Sequence, residues 1–227
     1  MTPTPVARPR FARYLDDLRT LPGDVRLAWR LEGWSGVRAE LAERTLHRLW
    51  RSGHLLLIAQ ELTAAARTPV PAGVEIRELA EEDWDALASI LTRRALRQCR
   101  AAHAAGRVCL VAWRGPRPIG YTWLSAQVDA SIEPTVPPLP PGAAYLWNLW
   151  VLPAERSGGV GSALVSARLD AALARGFREG WRMVSPRNTP SLRTVAKTAG
   201  TGTRVVGELR YRKLGRRVRT RFTPAPL

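Results

Sequence analysis

The sequence is poor in the residues that build metal sites and disulfide frameworks. Its 227 residues include two cysteines, Cys99 and Cys109, and three histidines, His47, His54 and His103. The spacing of the two cysteines matches no zinc-binding motif, and none of the histidines has a neighbouring metal ligand in the sequence. We therefore expect neither a metal site nor a disulfide framework.

Long apolar runs are also missing. No run approaches the roughly 18 residues that a membrane span requires. The opening stretch MTPTPVARPRF contains arginine but lacks the apolar segment of a secretion signal. We therefore expect a cytoplasmic protein with no membrane contact. With 45% hydrophobic residues and nine tryptophans, the chain can bury a sizeable core, as one domain with an extension or as two small domains.

Acidic residues are scarce relative to basic ones. The chain has 35 Lys and Arg against 19 Asp and Glu, a net charge of +16, and Lys197 and Lys213 are its only lysines. An arginine-biased composition explains part of this excess. Residues 201–227, however, hold eight basic side chains and one acidic one, a cluster that either binds transfer RNA or another polyanion or stays solvated. Seven of the eight lie close together, namely Arg210, Arg212, Lys213, Arg216, Arg217, Arg219 and Arg221.

The first part of the chain is predicted to be helical. Apolar positions recur every three or four residues across 7–51, and Gly53 stands where a helix would stop. Residues 54–62, HLLLIAQEL, are either a buried strand or a short helix. The segment TPVPAG at 68–73 is a connector, because its prolines disfavour regular structure.

We place a domain boundary in that connector. Residues 1–70 form a helical N-terminal extension, 71–215 form the main domain, and 216–227 form a basic C-terminal tail. The main domain alternates strand and helix patterns and is predicted to be mixed α/β. Within it, residues 129–143 hold five prolines and are predicted to be an irregular loop, either a spacer or part of a substrate mouth.

A glycine-rich turn follows the apolar strand AYLWNLWVL. In the stretch NLWVLPAERSGGVGSALVSARLDAALARGF, the strand ends at Pro153 and a helical pattern begins after Gly161. Glycines there let backbone N–H groups converge at a helix N-terminus, which favours an anion, and Arg156 adds a positive charge. The alternative is a glycine turn that only closes tightly.

The spacing Arg156-x-x-Gly159-x-Gly161 between a strand and a helix resembles the pyrophosphate loop of the GNAT superfamily of acetyl-CoA-dependent N-acetyltransferases. It is neither a Walker loop nor a dinucleotide fingerprint, whose residue orders differ. The order of elements and the later segment RNTPSLRTVAKTAG resemble the same family. The resemblance covers about residues 73–215. It implies an α/β (α+β) fold in which a mixed central sheet is flanked by helices.

The resemblance also implies a cosubstrate, acetyl-CoA or another acyl-CoA, and an amine acceptor that attacks the thioester directly. Such a reaction needs a proton acceptor, a donor to the developing oxyanion and an acid for the leaving thiolate. The backbone amide of Val151 is a candidate oxyanion donor. The implied binding residues are Leu149, Trp150, Val151, Arg156, Ser157, Gly158, Gly159, Val160, Gly161, Ser162 and Asn188.

The sequence departs from the family pattern in one respect. Many members supply the acid from a tyrosine in the second block, but the matching segment here is Thr194, Val195 and Ala196. Tyr145 is therefore a candidate proton carrier, or else a core aromatic. Strand alternation predicts that Tyr145, Trp147, Leu149 and Val151 point the same way.

Further polar candidates for catalysis are Asn148 and Ser191, and Asp129 or Glu133 of the proline-rich loop could accept the amine's proton. Strand tryptophans are expected in the core, and Trp29, Trp34 and Trp50 are expected to pack the extension onto the main domain.

Three functions stay open at this point. The first is acyl transfer from acyl-CoA to a small amine, with the extension forming or covering the acceptor site. The second is an acyltransferase that uses transfer RNA as aminoacyl donor or as acceptor. The third is a nucleic-acid-binding protein with a degenerate acyltransferase domain. The sequence leaves the oligomeric state open.

Overall fold

A computed structural model describes residues 10–45, 50–63, 65–128, 137–200, 202–215 and 217–226, with side chains from residue 19 onward. One mixed sheet passes through the molecule and carries helices on both faces. The helices are α1 (Arg10–Arg44), α2 (Trp84–Leu87), α3 (Arg93–Ala104), α4 (Val160–Ala174) and α5 (Thr189–Thr198). The strands are β1 (Trp50–Glu61), β2 (Glu75–Glu78), β3 (Val108–Arg114), β4 (Arg117–Ser125), β5 (Ala143–Val151), β6 (Glu179–Val184), β7 (Arg204–Leu214) and β8 (Arg217–Pro224).

The eight strands lie in the order β2-β3-β4-β5-β6-β1-β7-β8. Strands β5 and β6 pair in parallel and every other neighbouring pair is antiparallel. Helices α2 and α3 cover one face together with Leu31 of α1, whereas α4 packs on the opposite face. The predicted mixed sheet flanked by helices is confirmed.

The extension is helical only in its first part. Helix α1 ends at Arg44, and residues 50–61 form a strand between β6 and β7. The predicted helix end at Gly53 is wrong: Gly53 lies within β1, where a β-carbon would overlap the Tyr211 ring. Residues 1–70 therefore include a strand in the interior of the sheet, held there by the buried side chains of Leu57 and Ala59.

The basic tail also forms regular structure. Strand β8 pairs with β7 along its whole length, from Gly207 opposite Pro224 to Leu214 opposite Arg217. The tail predicted at 216–227 is thus the edge strand of the sheet in the range that the structure describes, 217–226. Arg216 lies outside the described residues.

Helix α1 is anchored to the main domain by a buried carboxylate. Asp24 accepts a hydrogen bond from the backbone N–H of Arg93, 2.7 Å away, at the start of α3, and it forms an ion pair with Arg44. The helix kinks at Gly33, whose φ of 60° belongs to the left-handed region that glycine tolerates. This kink places the preceding turn of α1 beside the sheet.

The tryptophans divide by element. Trp113, Trp123 and Trp181 are buried in strands, as predicted. Trp29, Trp34 and Trp50 are each more than half exposed, so the expectation that they pack the extension onto the domain is wrong. The hydrogen bond from the Arg93 N–H to Asp24 and the apolar contact of Leu31 attach α1 to the main domain instead.

The sequence predicted neither a membrane span nor a metal site. No helix in the described part of the chain is both long and apolar enough to cross a membrane. Across the same residues, no three His, Cys, Asp or Glu side chains cluster in a way that could hold a metal ion. Asp129, Glu133 and His47 lie outside the described residues.

Candidate functional site

Strand β5 contains a β-bulge in its middle. Two of its residues, Asn148 and Leu149, stand opposite the single residue Thr122 of β4. Asn148 takes up the extra length with a φ of 50°, a conformation that asparagine tolerates better than most residues.

The bulge changes which side chains share a face. Trp147 packs in the core beneath α2 and α3, whereas Leu149 and Val151 pack on the α4 side. The prediction that Tyr145, Trp147, Leu149 and Val151 point the same way is wrong, because the extra residue at Asn148 interrupts strict alternation. The sequence of this strand carries no glycine that would have indicated a bulge.

Arg168 of helix α4 forms hydrogen bonds with the two strands at the bulge. Its Nη1 donates to Thr122 Oγ1 at 2.6 Å and to the Trp147 carbonyl at 3.2 Å. The bulged segment is therefore fixed by hydrogen bonds to a buried side chain, which favours one well-defined backbone geometry at this point of the sheet.

Beyond Tyr145 the two parallel strands separate. Pairing of β5 with β6 covers only Ala143–Tyr145 opposite Glu179–Trp181, although β5 continues to Val151 and β6 to Val184. The N–H of Leu152 donates to the carbonyl of Ile119 in β4. In an antiparallel ladder, residue pairs that are joined by hydrogen bonds alternate with pairs that are not. Val151 therefore directs its own N–H and C=O away from β4 and into the opening.

The glycine turn connects this opening to α4. Ser157 and Gly159 have φ values of 67° and 85°, and Gly159 precedes the first residue of the helix. In the described part of the chain, no side chain caps this helix N-terminus. Its first N–H groups are thus available to an anion, which the helix dipole also attracts.

A groove of about 600 Å³ joins the turn, the end of β5 and α5. It brings together ten of the residues proposed from the sequence, namely Leu149, Trp150, Val151, Arg156, Ser157, Gly159, Gly161, Ser162, Asn188 and Ser191. It does not include Gly158 or Val160, and Val160 is buried in the core.

Sequence reasoning missed the basic face of α5. Arg193 and Lys197 line the groove together with Thr194. The two residues are four positions apart in the helix that Asn188 caps, so they lie on one helix face. This spacing was a signal present in the sequence. With Arg156 they make the groove positively charged.

Glu32 of α1 also reaches this site. Its Oε1 accepts hydrogen bonds from Trp150 Nε1 at 3.0 Å and from Arg156 Nη2 at 2.9 Å. Arg156 in turn donates from Nε to the Val151 carbonyl at 3.0 Å. Sequence reasoning missed Glu32, since more than a hundred residues separate it from the loop and no motif marks it.

The three candidate catalytic residues differ in position. Tyr145 is 8% exposed and lies outside the groove lining. Asn148 occupies the bulge close to Tyr121, whose phenol has its pKa raised by burial. Ser191 lines the groove, and its backbone N–H donates to Asn188 Oδ1 at 3.2 Å as part of the helix cap.

The sequence model of the acetyltransferase (GNAT) family matches residues 73–200, more than half of the chain. The chain belongs to this family. The matched range contains the bulged strand, the glycine turn and α5, and it ends before β7 and excludes α1 and β1.

Solved structures share the fold of this GNAT chain at low sequence identity. A Drosophila protein aligns with a TM-score of 0.55 and 17% identity over 79% of this chain and 57% of its own, so this chain spans a little over half of its length. The glucosamine N-acetyltransferase region of a fungal multi-domain β-N-acetylglucosaminidase aligns with a TM-score of 0.54 and 14% identity, over 76% of this chain and 22% of the other. A Staphylococcus epidermidis protein of unknown function aligns with a TM-score of 0.50 and 13% identity, over 77% of this chain and 65% of its own. No curated protein sequence matches the chain.

Proposed function

We propose that this GNAT chain transfers an acyl group from acyl-CoA to an amine by direct attack of the amine on the thioester. The observation that carries the proposal is the groove of about 600 Å³, which joins an uncapped helix N-terminus to the opening between two parallel strands. A long ligand with a phosphate end and a narrow arm fits this combination.

The phosphate end belongs at the glycine turn. The N–H groups at the start of α4 face an anion there, and Gly161 keeps side-chain bulk away from it. Arg156, Arg193 and Lys197 add three cations around the same groove. The residues present therefore fit a CoA pyrophosphate together with a further phosphate.

The narrow arm of the acyl-CoA is placed along β5. Val151 turns its backbone N–H into the opening, where β6 provides no strand partner, and its C=O accepts from Arg156 Nε. An extended amide-containing chain therefore finds a backbone donor there. The thioester supplied by acyl-CoA then lies near the bulge. The Val151 N–H is positioned to donate to the carbonyl oxygen as negative charge develops on it.

Proton transfer falls to side chains around this point. The Ser191 hydroxyl lines the groove beside β5 and is our candidate donor to the departing sulfur. Glu32 lies on α1 next to Trp150, and among the described residues its Oε2 has no hydrogen-bond partner. We assign Glu32 to the acceptor side, where a carboxylate attracts the ammonium form of an incoming amine.

Calorimetric titration with acetyl-CoA tests the proposal. A β-carbon at Gly161 meets Val151 Cγ2 at 3.6 Å, an ordinary contact, and Gly161 needs no positive φ. Gly161→Ala should therefore fold and bind acetyl-CoA almost normally. Gly161→Glu places a carboxylate at the phosphate position and should weaken binding by about 100-fold or more through like-charge repulsion. Equal affinity of the two variants would remove the pyrophosphate assignment.

The β7–β8 hairpin supports a second candidate function, binding of transfer RNA or another polyanion. Arg210 stands directly opposite Arg221, and Arg212 opposite Arg219. Like charges in directly opposed pairs destabilise a ladder unless an anion lies between them. These four side chains also line a shallow depression of about 760 Å³ with Arg187.

Titration with bulk transfer RNA at two salt concentrations tests this second function. Binding that weakens steeply with salt, and that Arg219→Gln reduces at low salt, supports the hairpin as an RNA surface. RNA binding without acyl-CoA binding would favour a nucleic-acid-binding protein with a degenerate acyltransferase domain. No salt-dependent binding would leave the hairpin without this role.

A further inference from the structure

Two arginines lie at the centre of the molecule without an acidic partner. Arg168 of α4 and Arg182 of β6 are each 3% exposed. Side chains with this charge are seldom buried unless a carboxylate pairs with them. Among the described residues, no Asp or Glu forms an ion pair with either guanidinium.

The hydrogen-bond acceptors of both arginines are neutral. Arg168 uses Nη1 for Thr122 Oγ1 and the Trp147 carbonyl, and Arg182 uses Nη2 for Gln60 Oε1. The Nε atoms of both side chains are fully buried and have no hydrogen-bond partner in the described structure. A buried donor left in this state is energetically costly, so neither arginine is fully satisfied by its neutral partners.

The two charges are close enough to repel each other. Burial, followed by the charge of Arg182, lowers the pKa of Arg168. Burial lowers the pKa of Arg182 to about 10, so Arg182 remains a cation at neutral pH. An anion between them would relieve both the desolvation and the repulsion.

A small cavity lies against both guanidiniums. Its volume is about 60 Å³, roughly the space of two water molecules and comparable to a carboxylate group. Leu149, Ser191 and Thr194 line both this cavity and the acyl-CoA groove. The cavity is therefore a continuation of the groove at its inner end, beyond the bulge.

We propose that this cavity binds a carboxylate group carried by the acyl donor. The transferred group would then be a dicarboxylic acyl group of malonyl or succinyl type. The proposal rests on the acyl-CoA function above and names its donor class. A neutral acetyl group would leave the two arginines that line the cavity without a counter-charge, whereas a terminal carboxylate supplies it.

The reaction itself is unchanged by this assignment. The amine nitrogen forms a bond to the thioester carbon, the C–S bond breaks, the nitrogen loses a proton and the sulfur gains one. The distal carboxylate takes no part in bond changes and stays with Arg168 and Arg182. These two arginines therefore act as specificity residues.

Stable thioether analogues of succinyl-CoA and butyryl-CoA, which have the same chain length and differ in the carboxylate, test the proposal by calorimetry. The wild-type protein should bind the carboxylated analogue at least about 10-fold more tightly, the gain of one charge-assisted hydrogen bond. Arg182→Met should abolish this preference while leaving the affinity for CoA itself unchanged. Arg178→Met, at an exposed arginine near the start of β6, is the matched control and should keep the preference.

The outcomes separate the two proposals. If the wild-type protein binds neither CoA nor its analogues, the acyl-CoA function fails. If it binds CoA and both analogues equally, the carboxylate assignment to the donor fails and the acyl-CoA function stands. This comparison needs only wild-type protein, so it remains decisive even if Arg182→Met does not fold.

A second arm asks whether the acceptor supplies the carboxylate. With CoA present, thermal stabilisation by glycine is compared with that by glycine ethyl ester, for the wild type and Arg182→Met. Stabilisation by glycine alone that depends on Arg182, with no discrimination between the two CoA analogues, would transfer the site to the acceptor and overturn its assignment to the donor. Absence of discrimination in both arms would overturn the carboxylate site altogether.

Discussion

At the scale of single residues, Ser191 occupies the position from which a side chain can reach both the groove and the inner cavity. Tyr145, in contrast, sits at the last paired position of β5 and β6 and does not line the groove. Proton donation to the leaving sulfur is therefore better placed on Ser191.

We expect Ser191→Ala to lower kcat by up to about 100-fold, the lower range for removal of a general acid, with little change in acyl-CoA affinity. Tyr145→Phe should stay within about twofold of the wild type. Steady-state rates with a reactive amine and calorimetry with CoA measure the two quantities. A larger loss of kcat in Tyr145→Phe than in Ser191→Ala would assign the proton donor to Tyr145 instead.

A second prediction at this scale concerns pH. Arg77 donates to the two oxygens of Asp83 at 2.6 and 2.7 Å, and this pairing holds the pKa of Asp83 below its usual value. A carboxyl group with a depressed folded-state pKa stabilises the protein above its unfolded pKa of about 3.9, and this contribution is lost as the pH falls through the folded-state pKa.

We therefore expect the wild type to lose thermal stability on acidification from about pH 5 toward pH 3, and Asp83→Asn to be less stable at neutral pH with a flatter acid profile. Unfolding temperatures measured across this range test it. Asp85, exposed on α2, is the matched site, and Asp85→Asn should keep the wild-type profile. Parallel curves for the wild type and Asp83→Asn would contradict the assignment.

At the scale of elements, a buried carboxylate is one of the groups that attach helix α1 to the main domain. Asp24 both pairs with Arg44 and accepts the N–H of Arg93 at the start of α3. Its removal leaves a buried guanidinium and a helix N-terminus without their shared partner.

Asp24→Ala should lower the free energy of unfolding by about 1–3 kcal/mol, because the Arg93 N–H loses its acceptor while Arg44 keeps its ion pair with Glu40. Urea denaturation measures the loss, and limited proteolysis should cut within residues 19–45. Asp85→Ala provides the exposed control, expected within about 0.5 kcal/mol of the wild type. An Asp24 variant as stable as this control would show that the remaining contacts, those of Leu31 and Glu32, suffice to hold α1.

The elements also show where sequence reasoning succeeds. The glycine turn and the helix after it were predictable, because Gly159, Gly161 and the apolar period of α4 are local signals. The bulge at Asn148 was not, because its cause is the distant hydrogen-bonding of Arg168 to Thr122 and the Trp147 carbonyl. Glu32 and Arg182 were missed for the same reason: their role exists only once the chain brings them to the groove.

At the scale of the whole molecule, the sheet combines both ends of the chain. Strand β1 comes from the N-terminal part and lies between β6 and β7, which come from the C-terminal part. The sequence left residues 54–62 open between a buried strand and a short helix, and the structure makes them part of β1. The pairing of β1 with β7 was not predictable, since its antiparallel register joins residues about 150 positions apart.

Two truncations should therefore behave differently. Deletion of residues 217–227 removes an edge strand that pairs only with β7, and we expect a folded protein that binds acyl-CoA and has lost affinity for RNA. Deletion of residues 1–63 removes β1 from between β6 and β7 and should give insoluble or unfolded protein. Circular dichroism and gel filtration distinguish the two, and a soluble, CoA-binding 64–227 fragment would contradict the structural role of β1.

The position of β1 also bears on how the chain is made. A ribosome releases β1 early, but neither of its neighbours exists until β6 and β7 have been translated, more than 100 residues later. At 5–20 residues per second this interval is on the order of 10 s, during which the apolar side chains of Leu55–Ile58 face solvent or a chaperone. We expect acyl transfer to begin only after translation of β7, and a chain stalled before it to be handled as an unfolded protein.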